Sequence, residues 1–203
     1  MKRACLCVLS LLLMLGMTAC SPTSESEAET DATAEGEGTT SGSDALVVYF
    51  SATGNTESVA RTLAQLQSAE LYAIVPTEPY TEEDLDYNNE SSRANIEQND
   101  ENARPQISGT IENIEDYDVI YVGFPIWWGT LPRILCTFFD TYDLSGKTIA
   151  PFCTSGSSGI DEAVRMIETL EPDADVREGA RIDVDEAESQ LNEWLSLIQL
   201  SEQ

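Results

Sequence analysis

The stretch "VVYFSATGNT", Val47–Thr56, decides how this chain of 203 residues folds. It begins inside the apolar run "ALVVYF", which ends at Phe50 and is typical of a strand buried on both faces. Hydroxyls, one glycine and an amide follow at once. Apolar residues then recur at helical spacing, at Val59, Leu63 and Leu66. The stretch therefore predicts a buried strand, a tight polar turn and a helix.

The alternation of strands and helices continues to the end of the chain. Further strands are predicted at 71–75, 118–124, 147–153 and 174–182. Amphipathic helices follow the last three of them, and the final helix begins near Asp185, with Glu188 placed for a capping box. This order predicts an α/β fold, in which a doubly wound five-stranded parallel sheet lies between two helical layers.

A long polar segment, residues 76–105, interrupts the alternation after the second strand. It is rich in Asn, Asp and Glu, and only residues 91–103 carry a weak helical pattern. We therefore expect an irregular excursion from the sheet with one short helix, and we call residues 76–105 the excursion.

The beginning of the chain has the pattern of a secretory signal peptide over residues 1–19. Lys2 and Arg3 precede an apolar run that is shorter than the ~20 residues a bilayer crossing needs. The small residues before Cys20 resemble the lipobox of bacterial lipoproteins, although Met17 stands where leucine is commoner. The resemblance implies lipidation of Cys20 and an extracytoplasmic location, with membrane contact through the lipid anchor only. An uncleaved anchor and a chance Ala-Cys pair are the alternatives.

Residues 20–43 are acidic and rich in Ser, Thr and Gly, and they contain no aromatic, Val, Ile or Leu side chain. Such a segment cannot bury a core, so it predicts a flexible tether. The remaining residues, 44–203, have the length of one ordinary domain.

Acidic residues dominate the composition. The chain has 37 Asp and Glu against 10 Lys and Arg, a formal charge of −27. This excess argues against nucleic acid, whose phosphates must be met by cations, and against direct adsorption to anionic lipid. Solubility and a cationic partner are two explanations of the charge, and the first is the simpler.

Histidine is absent from the sequence, which excludes histidine triads, histidine metal sites and histidine acid–base chemistry. Of five cysteines, Cys136 and Cys153 remain once the signal peptide and Cys20 are set aside. Both lie among apolar neighbours, which favours buried free thiols, although a disulfide is the alternative outside the cytoplasm.

Three segments follow predicted strand ends, where parallel sheets bind ligands. The first loop, "SATGNT" at Ser51–Thr56, offers hydroxyls and helix N–H groups to a phosphate monoester but lacks the lysine of a P-loop. The second loop, "PIWWG" at Pro125–Gly129, offers aromatic surface to a flat ligand or a partner. The third loop, "CTSGSSG" at Cys153–Gly159, can bring backbone N–H groups close to a ligand.

Taken singly, each loop has a plainer interpretation. The first can be a helix cap, the second can pack one tryptophan inward and leave the other half-exposed, and the third can be an ordinary turn. Together they suit a molecule with a phosphate at one end and a flat ring at the other.

The run from Val47 to Leu63 resembles the flavodoxin signature, and "GFPIWWGTLP" and "LSGKTIAPFCTSGSSG" resemble a flavodoxin-like subgroup often found behind lipoprotein signals. The resemblance covers about residues 44–200 and implies FMN as cofactor on a flavodoxin-like sheet of order 2-1-3-4-5. It implies that the first loop holds the phosphate, that the second lies beside the ring system with Trp127 in contact, and that the third meets the ring edge and ribityl chain. The implied binding residues are Ser51, Ala52, Thr53, Gly54, Asn55, Thr56, Pro125, Ile126, Trp127, Trp128, Gly129, Thr154, Ser155, Gly156 and Gly159.

The third loop departs from the family pattern because it has no aromatic residue. Flavodoxins typically stack a tyrosine from this loop on the outer ring face. That face is therefore expected to be open, or covered by Tyr80 or Tyr87 of the excursion.

The first hypothesis is therefore an FMN-binding, membrane-tethered electron carrier. The usual nicotinamide pool lies inside the cytoplasm, so an extracytoplasmic location favours a carrier over a nicotinamide-dependent reductase. The flavin performs the redox chemistry, so no side chain is expected to be catalytic. A flavin-dependent reductase of quinone-like substrates and a flavin-free interaction module are the alternatives. The expected partner is a redox protein or a quinone-like small molecule.

Overall fold

The computed structural model describes residues 44–199, and the predicted signal peptide and the whole of the predicted tether, with Cys20, lie outside them. The strands are β1 (Ala45–Tyr49), β2 (Glu70–Ala73), β3 (Val75–Pro76), β4 (Ile107–Ser108), β5 (Val119–Pro125), β6 (Thr148–Thr154), β7 (Asp175–Val176) and β8 (Ala180–Arg181). The helices are α1 (Asn55–Leu66), α2 (Arg93–Asn99), α3 (Arg133–Thr141), α4 (Asp161–Leu170) and α5 (Ala187–Leu197).

The main sheet has the order β2-β1-β5-β6-β7, and all of these neighbours are parallel. With the separate β3–β4 pair set aside, this is the predicted order 2-1-3-4-5. The register places Tyr49 beside Gly123 and Pro125 beside Thr154. The loops that follow β1, β5 and β6 therefore lie at one edge of the sheet.

Helices cover both faces of the sheet and create two apolar cores. Val47 and Tyr49 of β1 belong to the core beneath α1 and α5, whereas Leu46 and Val48 belong to the core beneath α3 and α4. Because each central strand is buried on both sides, its sequence is continuously apolar rather than alternating. This confirms the three-layer α/β architecture.

The last strand is not the single strand predicted at 174–182. Thr148 of β6 pairs with Asp175, but Phe152 pairs with Ala180, so the edge strand has one more residue than β6 over this distance. An extra residue of this kind is a β-bulge, which interrupts the ladder. Gly179 lies within it, and a Cβ there would approach Ile160 to 2.9 Å.

The excursion is more ordered than its sequence predicts. β2 ends at Ala73, and Val75 leaves the main sheet to pair with Ser108 across the antiparallel β3–β4 ribbon. Its helix α2 is confirmed but is shorter than the predicted 91–103. Polar interactions connect distant parts of the excursion. One of them is a hydrogen bond of 2.6 Å from the Tyr80 hydroxyl to the Glu97 carboxylate. The guanidinium of Arg93 lies 4.2 Å from the centre of the Tyr80 ring.

The final helix begins later than predicted, after a 3₁₀ turn at Val184–Glu186. Glu188 thereby becomes the second helical residue rather than the third, so the predicted capping box is wrong, and no described side chain caps α5. The predicted buried positions are confirmed. They are Leu191, Trp194, Leu195 and Ile198.

Cys136 and Cys153 are both buried, and within residues 44–199 both are free thiols. Burial raises the pKa of the Cys153 thiol to about 12, so it is an inert core group. No helix in the described range combines the length and apolar character required to cross a membrane.

Candidate functional site

The three loops predicted from the sequence meet at the carboxyl edge of the sheet, and Thr154 joins them. Its hydroxyl shares a 2.8 Å hydrogen bond with the Thr56 hydroxyl of the first loop. Its carbonyl oxygen accepts from the N–H of Ile126 in the second loop at 3.1 Å. Since a pair of hydroxyls shares one hydrogen, the second hydroxyl hydrogen of the Thr56–Thr154 pair remains available to a ligand.

The first loop presents the beginning of α1 to solvent. Gly54 precedes the helix in the left-handed region at φ +88°, and its N–H donates to the Ser51 hydroxyl at 3.1 Å. No described side chain caps α1, so the first N–H groups of the helix have no intrahelical or capping acceptor. The interpretation of the hydroxyls as plain helix caps is therefore wrong. Thr53, Gly54 and Asn55 are exposed, and the turn fits an anion at the helix N-terminus.

The second loop is a tight turn in which a tryptophan adopts a backbone conformation that is unusual for a bulky residue. Trp127 and Thr130 exchange two backbone hydrogen bonds, of 2.9 and 3.0 Å. Between them, Trp128 at φ +49° and Gly129 at φ +84° are both left-handed, as in a type I′ turn. A bulky side chain is rarely found in this region. Such strain, of about 1–3 kcal/mol, tends to persist at functional sites.

The two tryptophans of the second loop have different surroundings. Trp127 is partly buried and makes edge-to-face contacts with Phe50 at 5.5 Å and Tyr80 at 5.3 Å between ring centres. Trp128 is 44% exposed. One ring is thus packed inward and the other half-exposed, yet both line the same cleft.

This cleft, of about 370 Å³, joins the first and second loops. The predicted residues that line it are Ala52, Thr53, Thr56, Pro125, Ile126, Trp127 and Trp128. The other wall comes from the excursion, through Leu85, Tyr87 and Ala94. Isolated apolar residues in a polar segment give no periodic signal, so the sequence did not indicate Leu85 or Ala94.

Of the two candidate tyrosines, only Tyr87 is placed to meet a ligand in the cleft. Tyr80 packs against Phe50 and Trp127, and its hydroxyl is bound to Glu97. The pKa of Tyr80 is raised, mainly by burial and to a smaller extent by the hydrogen bond to Glu97. The Tyr80 hydroxyl therefore stays neutral. Tyr87 lines the cleft and is 73% exposed.

The remaining predicted residues lie at the same edge but do not line the cleft. Ser51, Gly54 and Gly129 shape the two turns, and Asn55 begins α1. In the third loop, the Ser155 hydroxyl donates to the carbonyl oxygen of Ser158 at 2.5 Å, and Gly156 and Gly159 are exposed. Direct ligand contact by Ser155, Gly156 and Gly159 stays a prediction.

The arginines of α1 and α2 are already paired with carboxylates. Arg61 is paired with Glu57 at 2.6 Å and Arg93 with Glu97 at 2.7 Å. The first loop itself contains no cation, so the donors that it offers to an anion are N–H and hydroxyl groups. Within residues 44–199, no group of three or more Cys, Asp or Glu side chains is arranged to hold a metal ion.

Comparison with known proteins agrees with this geometry. The flavodoxin family model matches residues 44–198. A solved structure from Bacteroides eggerthii, assigned as a flavoprotein, is 42% identical, covers 76% of this chain and 97% of its own, and has a TM-score of 0.72. A second, from Bacteroides uniformis and likewise assigned, is 37% identical, covers 74% and 99%, and has a TM-score of 0.70.

A flavoprotein from Lactobacillus acidophilus, solved in complex with FMN, shares the fold at 23% identity, with coverage of 74% and 97% and a TM-score of 0.59. No curated protein matches the chain. The family match spans the whole sheet and all three loops at its carboxyl edge, so the chain belongs to the flavodoxin family.

Proposed function

We propose that this chain binds FMN and carries electrons outside the cytoplasm, tethered to a membrane through Cys20. The observation that carries the proposal is the pairing of an uncapped helix N-terminus with an aromatic cleft at one edge of the sheet. Membership of the flavodoxin family and the FMN complex of a protein with the same fold support FMN as the cofactor.

The donors at the first loop fit the phosphate end of FMN. They are the first N–H groups of α1, the exposed Thr53 hydroxyl and the second hydrogen of the Thr56–Thr154 pair. Hydrogen bonds to a charged group contribute about 1.5–3 kcal/mol each. Distant carboxylates are screened over ~8 Å at physiological salt. Local donors can therefore bind a dianion despite 31 Asp and Glu against 8 Lys and Arg in residues 44–203.

The cleft beside these donors fits a flat ring system. Trp127 and Trp128 form one wall, and Tyr87 rises from the opposite wall. Tyr87 can therefore cover the outer ring face, a role that the third loop cannot fill because it has no aromatic residue. Stacked or edge-to-face aromatic contacts of this kind add about 0.5–1.5 kcal/mol each beyond the area they bury.

The predicted location outside the usual nicotinamide pool favours electron carriage over nicotinamide-dependent turnover, and the cleft needs only to hold the flavin. Bound FMN itself supplies the electron-transfer chemistry. A volume of about 370 Å³ lies within the range of small-molecule sites, which span ~300–1,000 Å³, and is large enough for one ligand. Its lining residues include no carboxylate, amine or thiol that could transfer a proton at neutral pH.

A reductase of quinone-like substrates is the second candidate, and one observation favours it. Because Tyr87 is 73% exposed, it is held by few contacts and can leave the ring face open to a second molecule. No comparable observation favours a flavin-free interaction module, whose loops would not need to retain an uncapped helix and an aromatic cleft.

Spectroscopy of the purified full-length protein tests the proposal. A carrier should be yellow as isolated, and its apoprotein should take up FMN stoichiometrically. It should catalyse the transfer of electrons from NADPH to a quinone slowly or not at all, but its flavin should be reduced readily by a protein partner. Folded protein that takes up no FMN would contradict the proposal, whereas rapid NADPH–quinone turnover would favour the reductase.

The tether is tested separately. We expect the wild-type chain in the membrane fraction of a bacterial host, and a Cys20→Ala variant in the soluble extracytoplasmic fraction. A Cys136→Ala variant is the control, because Cys136 is buried in the domain. Equal partitioning of wild type and Cys20→Ala would overturn the lipid anchor without affecting FMN binding.

A further inference from the structure

Gln98 connects the excursion to the second loop. Its side chain is 7% exposed, and its amide nitrogen donates to the carbonyl oxygens of Trp127 and Leu131, both at 3.2 Å. Its amide oxygen accepts from the N–H of Arg133 at 2.9 Å. Both polar atoms of the carboxamide are thus engaged by residues 127–133. The carbonyl oxygen of Gln98 also accepts from the Arg133 guanidinium at 3.1 Å.

The second loop needs support of this kind. Trp127 and Thr130 close the turn between themselves, but those bonds do not fix its direction relative to the cleft. The left-handed Trp128 is also strained, and a strained residue persists only where its surroundings hold it. Gln98 binds the chain immediately before and after the turn, at Trp127 and Leu131.

The same helix also contributes to the lining of the cleft. Ala94 lines the cleft and lies one helical turn before Gln98 in α2, whereas Gln98 itself is not among the lining residues. A shift of α2 would therefore move Ala94 directly and the second loop through the carboxamide of Gln98.

We infer that Gln98 is a positioning residue for the cofactor, which sets the distance and orientation between the excursion wall and the tryptophans of the second loop. This inference rests on the proposed FMN site. Gln98 acts through Trp127 and Trp128 and does not touch the ligand.

The variant Gln98→Met tests the inference, since it preserves side-chain length and volume but removes all three side-chain hydrogen bonds. Two carbonyls and one N–H would lose their partner, which lowers stability with or without FMN. Because the second loop would also lose its position, we expect the FMN Kd to rise about tenfold or more. The visible circular dichroism of bound FMN, measured at saturation, should also change because the nearby rings are reoriented. Gln98→Glu retains only the acceptor for Arg133 and should also weaken FMN binding. This variant provides the test if Gln98→Met does not fold.

Asn95→Ala is the matched control. Asn95 lies in the same helix, is 6% exposed and uses its carboxamide within the excursion, where it donates to Asn89 at 3.2 Å and accepts from Asn99 at 2.9 Å. We expect this variant to lose stability but to keep its FMN Kd within about twofold of wild type, with an unchanged dichroism spectrum.

The outcomes are distinct. Wild-type affinity and spectrum in Gln98→Met would overturn the inference, and so would equal weakening in Asn95→Ala, because the excursion would then need only to be folded. Wild-type protein that binds no FMN would instead contradict the proposed function, and the positioning role with it.

Discussion

The first and second loops lie at the same edge of the sheet, but they obtain their shapes in different ways. The first takes its backbone shape locally, since a hydrogen bond from Gly54 to Ser51 and the start of α1 lie within six residues, and it has one distant hydrogen bond, from Thr56 to Thr154. The second depends on distant partners, because Trp127 packs on Phe50 and Tyr80 and its carbonyl is bound by Gln98, 29 residues away. The turn proposed to hold the phosphate is therefore encoded mainly in a local motif, whereas the loop proposed to hold the ring depends on tertiary packing.

Replacement of Trp127 by Ala should have the largest effect on this comparison. The change removes a ring from an aromatic cluster, and a loss of about 2–4 kcal/mol in unfolding free energy is expected for a partly buried tryptophan. FMN and riboflavin should both bind more weakly, and the fluorescence of bound flavin should increase. Trp127→Phe is the control, since it retains an aromatic edge. Unchanged affinity for both flavins would show that the ring end does not depend on Trp127.

Substitution of Gly54 should act on the phosphate end alone. A Cβ there meets nothing within 4 Å, so the cost of Gly54→Ala is the left-handed backbone at φ +88°, about 1–2 kcal/mol. Gly54→Asn should cost less because asparagine tolerates this conformation. We expect calorimetric titration to show weaker binding of FMN but unchanged binding of riboflavin, which lacks the phosphate. Equal losses for both ligands would break the distinction between the two ends.

Trp128→Asn should separate stability from binding. The variant creates an Asn-Gly pair, the preferred sequence for the type I′ turn seen here, and should raise the unfolding free energy by about 0.5–1 kcal/mol. It also removes a 44% exposed ring from the cleft, so the affinity for FMN should fall. Chemical denaturation of the apoprotein and a flavin titration measure the two effects. A variant that binds FMN as tightly as wild type would leave the strain at Trp128 without a functional explanation.

The smallest effect is expected on stability, from a substitution of Glu171. This residue follows the last residue of α4 and lies at the end of that helix remote from the site. The pKa of this carboxyl is raised from 4.5 to about 7, mainly by burial and to a smaller extent by the negative charges of Asp143 and Asp140. The folded state therefore binds the proton more tightly. This contribution to stability is complete below about pH 4.5 and is lost as the pH rises through about 7.

Glu171→Gln should remove that pH dependence and raise stability at pH 8 by less than about 1 kcal/mol, because the group is largely solvent-screened. Denaturation at pH 5 and pH 8 measures the change. FMN affinity should stay that of wild type, and a change in it would show that the two edges of the sheet are coupled.

The central strands and the three loops could be predicted because each has a local signal, whereas the strand order was implied by the resemblance to the flavodoxin family. The apolar run to Phe50, the turn at Gly54 and the spacing of Val59 and Leu63 determine β1 and α1 without reference to the rest of the chain. Two adjacent tryptophans were enough to predict that the second loop would face a flat ligand or a partner.

The excursion could not be predicted in the same way, because its order comes from polar pairs. The contacts of Tyr80 with Glu97 and of Gln98 with the second loop have no period in the sequence. The edge bulge depends on the register between β6 and its neighbours, which no single segment encodes. The delayed start of α5 shifted Glu188 by one position, which was enough to abolish a capping box.

The β3–β4 ribbon has a consequence for how the excursion can vary. The chain leaves and re-enters the domain through two short strands that pair with each other, Val75–Pro76 and Ile107–Ser108. The pairing in the main sheet does not involve these two strands, so a change in the length of the chain between them need not alter the registration of the parallel strands. The contacts of Gln98 with the second loop are the part of the excursion that such a change would have to preserve.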